Sequence, residues 1–255
     1  MSEIYVCLTF DFDADSAQVR QEEDPVRISK GQFAIQRGLS RILTLLDKYE
    51  IKSTFFVCGW VAENYPGHID EINLGGHEVA AHGYSHENLD KLDFNEEIIV
   101  HEHTHQILEG MVGKVKGFRA PYWKLSKSTL SILSEMGYVY DSSLMDEDRP
   151  YVYSVPESPK NLVEFPVEWF LDDWKLFETH QKTPQDVFDI WKAQFDAILE
   201  IEDLEDSRRV FTLTCHPSCI GHAYRIKVLE RLIRYMKTKQ AVFVKMIDLA
   251  ADYLL

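Results

Sequence analysis

A parallel α/β barrel is the architecture this sequence predicts, and three observations predict it. Strand-like apolar runs alternate with amphipathic helical stripes from end to end, the pattern of successive β/α units. Seven or eight such units fit the 255 residues, the usual size of a β/α barrel. No Gly-rich phosphate turn follows the first strand, which weakens the competing open doubly wound sheet.

The elements follow in order. Tyr5 to Phe10 is apolar, β-prone and ends at an Asp pair. Over residues 32–50, Ile35, Leu39, Ile42, Leu46 and Tyr49 recur at spacings of four and three, the stripe of an amphipathic helix. Ser53 to Val57 is the next strand, closed by Gly59. A helical stretch follows, broken at Pro66-Gly67 and ended by Gly75-Gly76. Glu78 to Ala81 is a short strand leading into His82, and residues 94–113 form a long helix ending near Gly113. Val115 to Arg119 is a fourth strand, 127–136 a helix stopped by Gly137, and Tyr138 to Asp141 a fifth strand.

Residues 142–161 hold Pro150, Pro156 and Pro159 without a period and read as a long loop, a class more often functional than accidental. Val163 to Val167 is a sixth strand, followed by the aromatic run Trp169-Phe170-Leu171-Asp172-Asp173-Trp174. Residues 184–202 are helical, with Thr183 as N-cap and Pro184 in the first position. Arg209 to Cys215 is a seventh strand, 223–238 a helix, Ala241 to Val244 a last strand and 246–254 a terminal helix. No repeat, low-complexity tract or linker interrupts the alternation, so one domain over 1–255 is expected.

Composition narrows the function. An apolar fraction of 45% suffices for a packed core, and 42 acidic against 27 basic residues give a net charge of −15. That sign opposes binding to nucleic acid or an anionic membrane through phosphate contacts. No stretch approaches the roughly 18 uninterrupted apolar residues of a membrane span, and the first residues lack the basic n-region of a signal peptide. Cys7, Cys58, Cys215 and Cys219 lack paired zinc spacing and read as reduced thiols. A cytoplasmic protein is expected.

Four short segments at strand ends carry the chemistry. Asp11 and Asp13 lie two apart, so extended backbone aims both carboxylates to one face; the bland alternative is an exposed acidic turn. His82 and His86 are four apart, the spacing by which two imidazoles meet one metal from adjacent helical turns. His101, His103 and His105 show how such pairs arise by chance, and we expect a solvated helix face there. Arg119, in Arg119-Ala120-Pro121-Tyr122-Trp123, can hold a carboxylate bidentately, with a structural Arg as the alternative. His216, in Cys215-His216-Pro217, has an ordinary pKa near neutrality and suits acid catalysis, unless it is a core histidine. Asp172 or Asp173 can orient it. Their aromatic neighbours form an apolar wall, a sugar platform or ordinary core.

Taken together, Thr9-Phe10-Asp11-Phe12-Asp13, the H-x-x-x-H of residues 82–86, Arg119-x-Pro121-Tyr122 and His216-Pro217 resemble the ordered motifs of the polysaccharide deacetylase superfamily. The resemblance spans nearly the whole chain. It implies a distorted (β/α) barrel with one divalent metal, usually zinc, bound by Asp13, His82 and His86. It further implies Asp11 as general base tethered by Arg119, the Tyr122 N–H as an oxyanion donor and His216 as general acid. One departure stands out: the commonest first motif has adjacent aspartates, whereas Phe12 separates them here. That variant, with Asp141-Ser142-Ser143-Leu144-Met145 and Leu171-Asp172-Asp173-Trp174, is similar to a peptidoglycan-deacetylase-like cytoplasmic subgroup related to cyclic imide hydrolases.

The expected reaction is metal-assisted amide hydrolysis, on an N-acetylated amino sugar first and a cyclic imide or ureide second. A catalytically silent binding module is the third reading. Trp123, Arg149, Tyr151, Asp172, Asp173 and Trp174 are the expected substrate-pocket residues, with the 142–161 loop as a lid over a small covered pocket. A small molecule or carbohydrate is the expected partner, nucleic acid and membrane are not, and a homo-oligomer is left open.

Overall fold

The computed structural model describes residues 3–156, 158, 160–200 and 208–254. Its centre is β1 (Ile4–Phe12), a nine-residue strand flanked by β2 (Thr54–Val57) and β8 (Arg209–Cys215), both parallel to it. The ladder continues from β2 through β3 (Glu78–Ala81), β4 (Gly117–Phe118), β5 (Tyr140–Asp141) and β7 (Leu162–Glu164) to β6 (Tyr151–Tyr153). A ninth strand, β9 (Val242–Phe243), also pairs with β1. Every described pairing is parallel except β6 with β7. The sheet curls into an open half-barrel: β6 and β8 are its two ends and share no ladder among the described residues.

Side-chain alternation along β1 explains the two cores. Ile4, Val6, Leu8, Phe10 and Phe12 face the outer helices and join the large apolar cluster. Cys7 faces inward and meets Phe56, Ala80, Tyr140, Val163, Phe165 and Val210 in a smaller cluster. The helix α10 (Met246–Tyr253) plugs this inner cluster from the strands' N-terminal end, where the Met246 N–H donates to Thr54 Oγ1 and the Ile247 N–H to Glu78. Apolar contents at that end leave the strands' C-terminal end for polar groups.

The outer layer comprises α1 (Ser16–Arg20), α2 (Pro25–Phe33), α3 (Leu39–Lys48), α4 (Gly59–Asn64), α5 (Pro66–Leu74), α6 (Phe94–Val112), α7 (Thr129–Glu135), α8 (Pro184–Glu200) and α9 (Ile226–Thr238). α3 and α9 bury regular apolar stripes, Leu39, Ile42, Leu45 and Leu46 in one and Val228, Leu229, Leu232, Ile233 and Met236 in the other. α6 opens on a capping box, with Asp93 and Glu96 each accepting from the other's backbone N–H. No described helix is long and apolar enough to cross a membrane.

All eight expected strands form, and four differences from the sequence reading have physical causes. The helix expected from residue 32 starts at Pro25, because the Asp24 carboxylate caps the N–H groups of Val26 and Arg27 and a Pro fits the first turn. A π turn, Ala34–Gly38, joins it to α3. Gly59 does not close β2; it begins α4. Residues 142–161 are not a structureless loop, since Tyr151–Tyr153 forms the antiparallel edge strand. Pro159 of that stretch, and residues 201 and 202 of the expected α8, lie outside the described residues.

Gly38 sits where a helix backbone meets the loop after β8. A Cβ there would lie 2.1 Å from the Pro217 carbonyl oxygen, far inside van der Waals contact. Gly38→Ala must therefore displace the segment that carries His216. We expect a loss of about 1–3 kcal/mol, as for other overpacking changes, read as a lower Tm by calorimetry. An unchanged Tm would show that the loop shifts freely.

Candidate active site

Thr9 and Asp11 share the inward face of β1 with Cys7, and Arg119 follows β4 two strands beyond β2. The Arg119 side chain is fully buried. Its Nη1 lies 2.7 Å from Asp11 Oδ1 and 2.8 Å from Thr9 Oγ1. Nε donates to the Ser142 carbonyl at 3.1 Å and Nη2 to the Ser142 hydroxyl at 2.9 Å, while the guanidinium lies 4.1 Å over the Phe56 ring. Burial pushes the Asp11 carboxyl up, but Arg119, His82 and His216 together outweigh it and leave the pKa below the ordinary value. Asp11 is held as a carboxylate.

Asp13, just past the end of β1, faces His82 and His86. Its Oδ1 is 3.4 Å from His82 Nε2 and its Oδ2 is 3.6 Å from His86 Nε2. The two histidines are not on a helix as their spacing suggested. They sit on a loop after β3 that turns through Gly83 at φ +68 and His86 at φ +58. Arg20 braces it, its Nε donating to the Ser85 carbonyl and its Nη2 to the His86 carbonyl, both at 3.0 Å. Glu87 accepts from the Tyr84 and Ser85 N–H groups and the Ser85 hydroxyl.

The His82 Nδ1 lies 2.7 Å from the Arg119 carbonyl oxygen. A carbonyl only accepts, so Nδ1 carries a proton and Nε2 is the ring nitrogen turned toward Asp13. Burial pushes the His86 imidazole down to about 4, against the pull of Asp13, so this ring is neutral at pH 7. Asp13 Oδ1 and His86 Nδ1 are buried without a hydrogen-bond partner among the described residues. Donors held about 2.1 Å from one tetrahedral ion lie roughly 3.4 Å apart. The donor set and its spacing therefore fit a divalent metal.

His216 enters from the end of β8. Its Nδ1 lies 2.7 Å from Asp173 Oδ1, and its backbone N–H donates to Asp173 Oδ2 at 3.0 Å. Nε2 points back to Asp11 Oδ2 at 3.9 Å. Burial lowers the imidazolium pKa, but Asp173, Asp172 and Asp13 outweigh that and raise it well above the ordinary value. Asp172, Asp173 and His216 are a second cluster with metal-like spacing. The Asp173 hydrogen bonds occupy that imidazole as a donor, so Asp13, His82 and His86 are the better ligand set.

A cavity of about 570 Å³ opens over these groups, lined by Asp11, Asp13, His82, His86, Asp172 and His216 on its floor and by Tyr122, Trp123, Trp169 and Trp174 on its walls. Tyr122 takes a left-handed backbone, φ +58 and ψ 8. The turn's own bonds run from the Trp123 N–H to Ala120 and from the Lys124 N–H to Pro121, leaving the Tyr122 N–H outside them.

Three expected pocket residues are elsewhere. Asp173 is fully buried behind His216 and does not line the cavity. Tyr151 is on edge strand β6, bonded to Asp146, and Arg149 pairs with Asp148 nearby; neither lines the cavity, nor does any other described residue of 142–161. The edge-strand pairing holds that segment away, so it is no lid. His101 is likewise buried, packed edge-on against Phe118 and 3.5 Å from Glu97, whereas His103 is exposed as expected. Arg20, Glu87, Ser142 and Ser143 were missed. Ser142 and Ser143 stood without a role in a segment that carried the resemblance, and Glu87 left a signal as an acidic residue just after a turn.

The His216–Asp173 pair gives a direct test on metal-free protein. A histidine whose folded pKa is raised adds stability that is complete below the unfolded value, near 6.5, and is lost as pH rises through the folded one. The His216 ring should titrate above the usual histidine range in NMR spectra, and Asp173→Asn should move that titration down. Equal midpoints in the two proteins would remove Asp173 as the cause.

The polysaccharide deacetylase family model matches residues 2–140. The chain is 30% identical to the peptidoglycan deacetylase of Helicobacter pylori, over 99% of this chain and 97% of that protein. It superposes with TM-score 0.88 on the "putative polysaccharide deacetylase" of Mycobacterium smegmatis, at 32% identity over 99% of this chain and 90% of that one. Against Puue allantoinase the TM-score is 0.89 at 21% identity, covering 98% and 90%, a likeness of fold. With that family model over more than half of its length and a relative 30% identical over nearly all of it, the chain belongs to the polysaccharide deacetylase family.

Proposed function

We propose that this protein is a metal-dependent amide hydrolase that removes the acetyl group from an N-acetylated amino sugar or short oligosaccharide. The observation that carries the reading is that Asp11, held as a carboxylate, lies 3.9 Å from His82 of the donor triad and 3.9 Å from His216. Asp13, His82 and His86 would hold the ion, zinc being the simplest match to a carboxylate and two imidazoles. When bound, the ion supplies Lewis acidity that acidifies water and polarises the amide carbonyl.

The remaining work falls to the chain's own groups. Asp11, kept ionised by Arg119, takes a proton from the attacking water. The Tyr122 N–H stabilises charge developing on the carbonyl oxygen, at roughly 3 kcal/mol for one such donor. His216, charged and held by Asp173, gives a proton to the departing nitrogen. A base with a lowered pKa and an acid with a raised one keep both in working form across neutral pH.

A sugar is favoured over a small cyclic amide by the cavity walls. Trp123 and Trp169 pack with ring centres 4.7 Å apart at a 37° tilt, and Trp169 is 41% exposed, an aromatic wall that suits sugar rings. Gln18 Oε1, Glu23 Oε2 and Asn88 Oδ1 line the cavity as buried acceptors without protein partners among the described residues, suited to hydroxyl donors. Ring opening of a cyclic imide or ureide would use the same catalytic groups, and the allantoinase neighbour's name points to it. A silent binding module would have no use for base, acid and donor triad together.

Acetate release from chito-oligosaccharides, measured beside ring opening of small cyclic imides, tests the reading. Faster imide opening would transfer the reaction to the second class. Asp11→Asn should keep the metal while activity falls by about two to four orders of magnitude; metal loss would exchange the roles of the two aspartates. His86→Ala should bind less zinc by elemental analysis, and equal content would remove His86 from the ligand set.

A further inference from the structure

Behind the turn that carries Tyr122, two carboxylic acids share one face of the sheet. Asp141 of β5 and Glu164 of β7 are direct partners in the parallel ladder, and both are buried. Register partners project to the same face, and the two carboxyl groups lie within hydrogen-bonding reach of one another. Neither lines the cavity.

The hydrogen bonds around the pair leave one place for a proton. Glu164 Oε1 accepts from the Ser143 N–H at 3.0 Å and the Leu144 N–H at 2.9 Å. Asp141 Oδ1 accepts from the Ser143 hydroxyl at 2.9 Å. Asp141 Oδ2 is buried without a donor among the described residues. Two carboxylates only accept, so they cannot bond to each other. One proton between Asp141 Oδ2 and the second Glu164 oxygen turns the contact into a hydrogen bond and cancels a charge. Burial favours the same state, raising the pKa of both acids.

Two titratable side chains face the pair. Arg119, from the segment after β4, favours an ionised Asp141, but its hydrogen bonds go to Thr9, Asp11 and Ser142. Tyr151 faces Glu164 from β6, and its raised pKa keeps the phenol neutral. The link to the site is Ser143. While its hydroxyl donates to Asp141, its oxygen accepts the Ala120 N–H at 2.9 Å. Ala120 opens the Pro121–Trp123 turn and follows Arg119, whose carbonyl orients His82.

We propose that Asp141 and Glu164 share one proton and act together as positioning residues, holding the Ala120–Tyr122 turn in its reactive geometry through Ser143. They touch no substrate and fix the backbone that does. The effect on turnover rests on the deacetylase reading; the proton and the turn do not.

Glu164→Gln puts in place of a protonated carboxyl an amide that accepts the same two N–H groups and donates to Asp141. Glu164→Leu removes both abilities. For acetate release from diacetylchitobiose by the zinc-loaded enzyme, kcat should stay within about twofold in Glu164→Gln and fall about tenfold in Glu164→Leu, the scale of one hydrogen bond, with KM unchanged. An equal loss in both variants overturns the shared proton, and no loss in either overturns the positioning. Should Glu164→Leu fail to fold, Ser143→Ala, which removes only the acceptor of the Ala120 N–H, takes its place.

Three measurements on metal-free protein need no turnover. Infrared difference spectra at neutral pH should show a protonated-carboxyl C=O band that Glu164→Gln removes; a band unchanged by the substitution overturns the shared proton. Exchange of the Ala120 amide should quicken in Glu164→Leu and not in Glu164→Gln, and equal rates in all three proteins overturn the positioning. The folded acid keeps its proton where the unfolded chain releases it, from about pH 4.3 upward, so wild-type stability falls as pH rises through that window. The Tm of Glu164→Gln relative to wild type should therefore climb between about pH 5 and about pH 8, and a constant difference overturns the shared proton. If these results hold while the zinc-loaded wild type releases no acetate, the deacetylase reading falls and the proton-sharing pair stands.

Discussion

The ion pair between Asp11 and Arg119, closed inside the mouth of the half-barrel, is the constraint around which the site is organised. A guanidinium with no solvent contact is tolerable only when its donors are satisfied. Here Asp11, Thr9 and two atoms of Ser142 do so, and the Phe56 ring supports its face. Those partners come from β1, β2 and the segment after β5, so the pair ties the start of the sheet to its far side. Removing either charge would leave the other buried and uncompensated, a cost of about 3–5 kcal/mol in comparable pairs.

The same arginine reaches the histidines through its backbone. Its carbonyl fixes the His82 tautomer, and its neighbour Ala120 is held by the Ser143 hydroxyl, which in turn donates to Asp141. Asp141 sits opposite Glu164 in the β5–β7 ladder, and burial raises both carboxyl pKa values. Two adjacent buried carboxyls cannot both ionise cheaply, and a shared proton lets them act as one hydrogen-bonding unit. Positioning of the cavity turn thus extends to strands beyond the groups that line the cavity.

Opposite electrostatic environments within a few ångströms give the cavity its chemical polarity. His86 is neutral because burial prevails, and His216 is charged because Asp173 and Asp172 prevail over burial. One imidazole is prepared to donate a lone pair and the other a proton, from the same side-chain type.

Residue order alone determined much of this protein. Apolar period placed all eight parallel strands, because burial on both faces leaves continuous β-prone runs that Gly and Pro punctuate. Asp11, Asp13, His82, His86, Arg119 and His216 were legible because each lies at a strand's C-terminal end, where a β/α barrel gathers its chemistry. Tertiary structure decided the rest. Tyr151–Tyr153 became a strand because β7 offered an unpaired edge, a partner that the strand's own residues do not encode, and Arg149 and Tyr151 lie outside the cavity with it. His101 was drawn inside by Phe118 and Glu97, against a local pattern that read as solvated. Asp172 and Asp173 were inseparable in sequence. Only the fold put one in the cavity and the other behind His216, because Asp172 bridges to Thr214 of β8 while Asp173 begins the helical turn that follows.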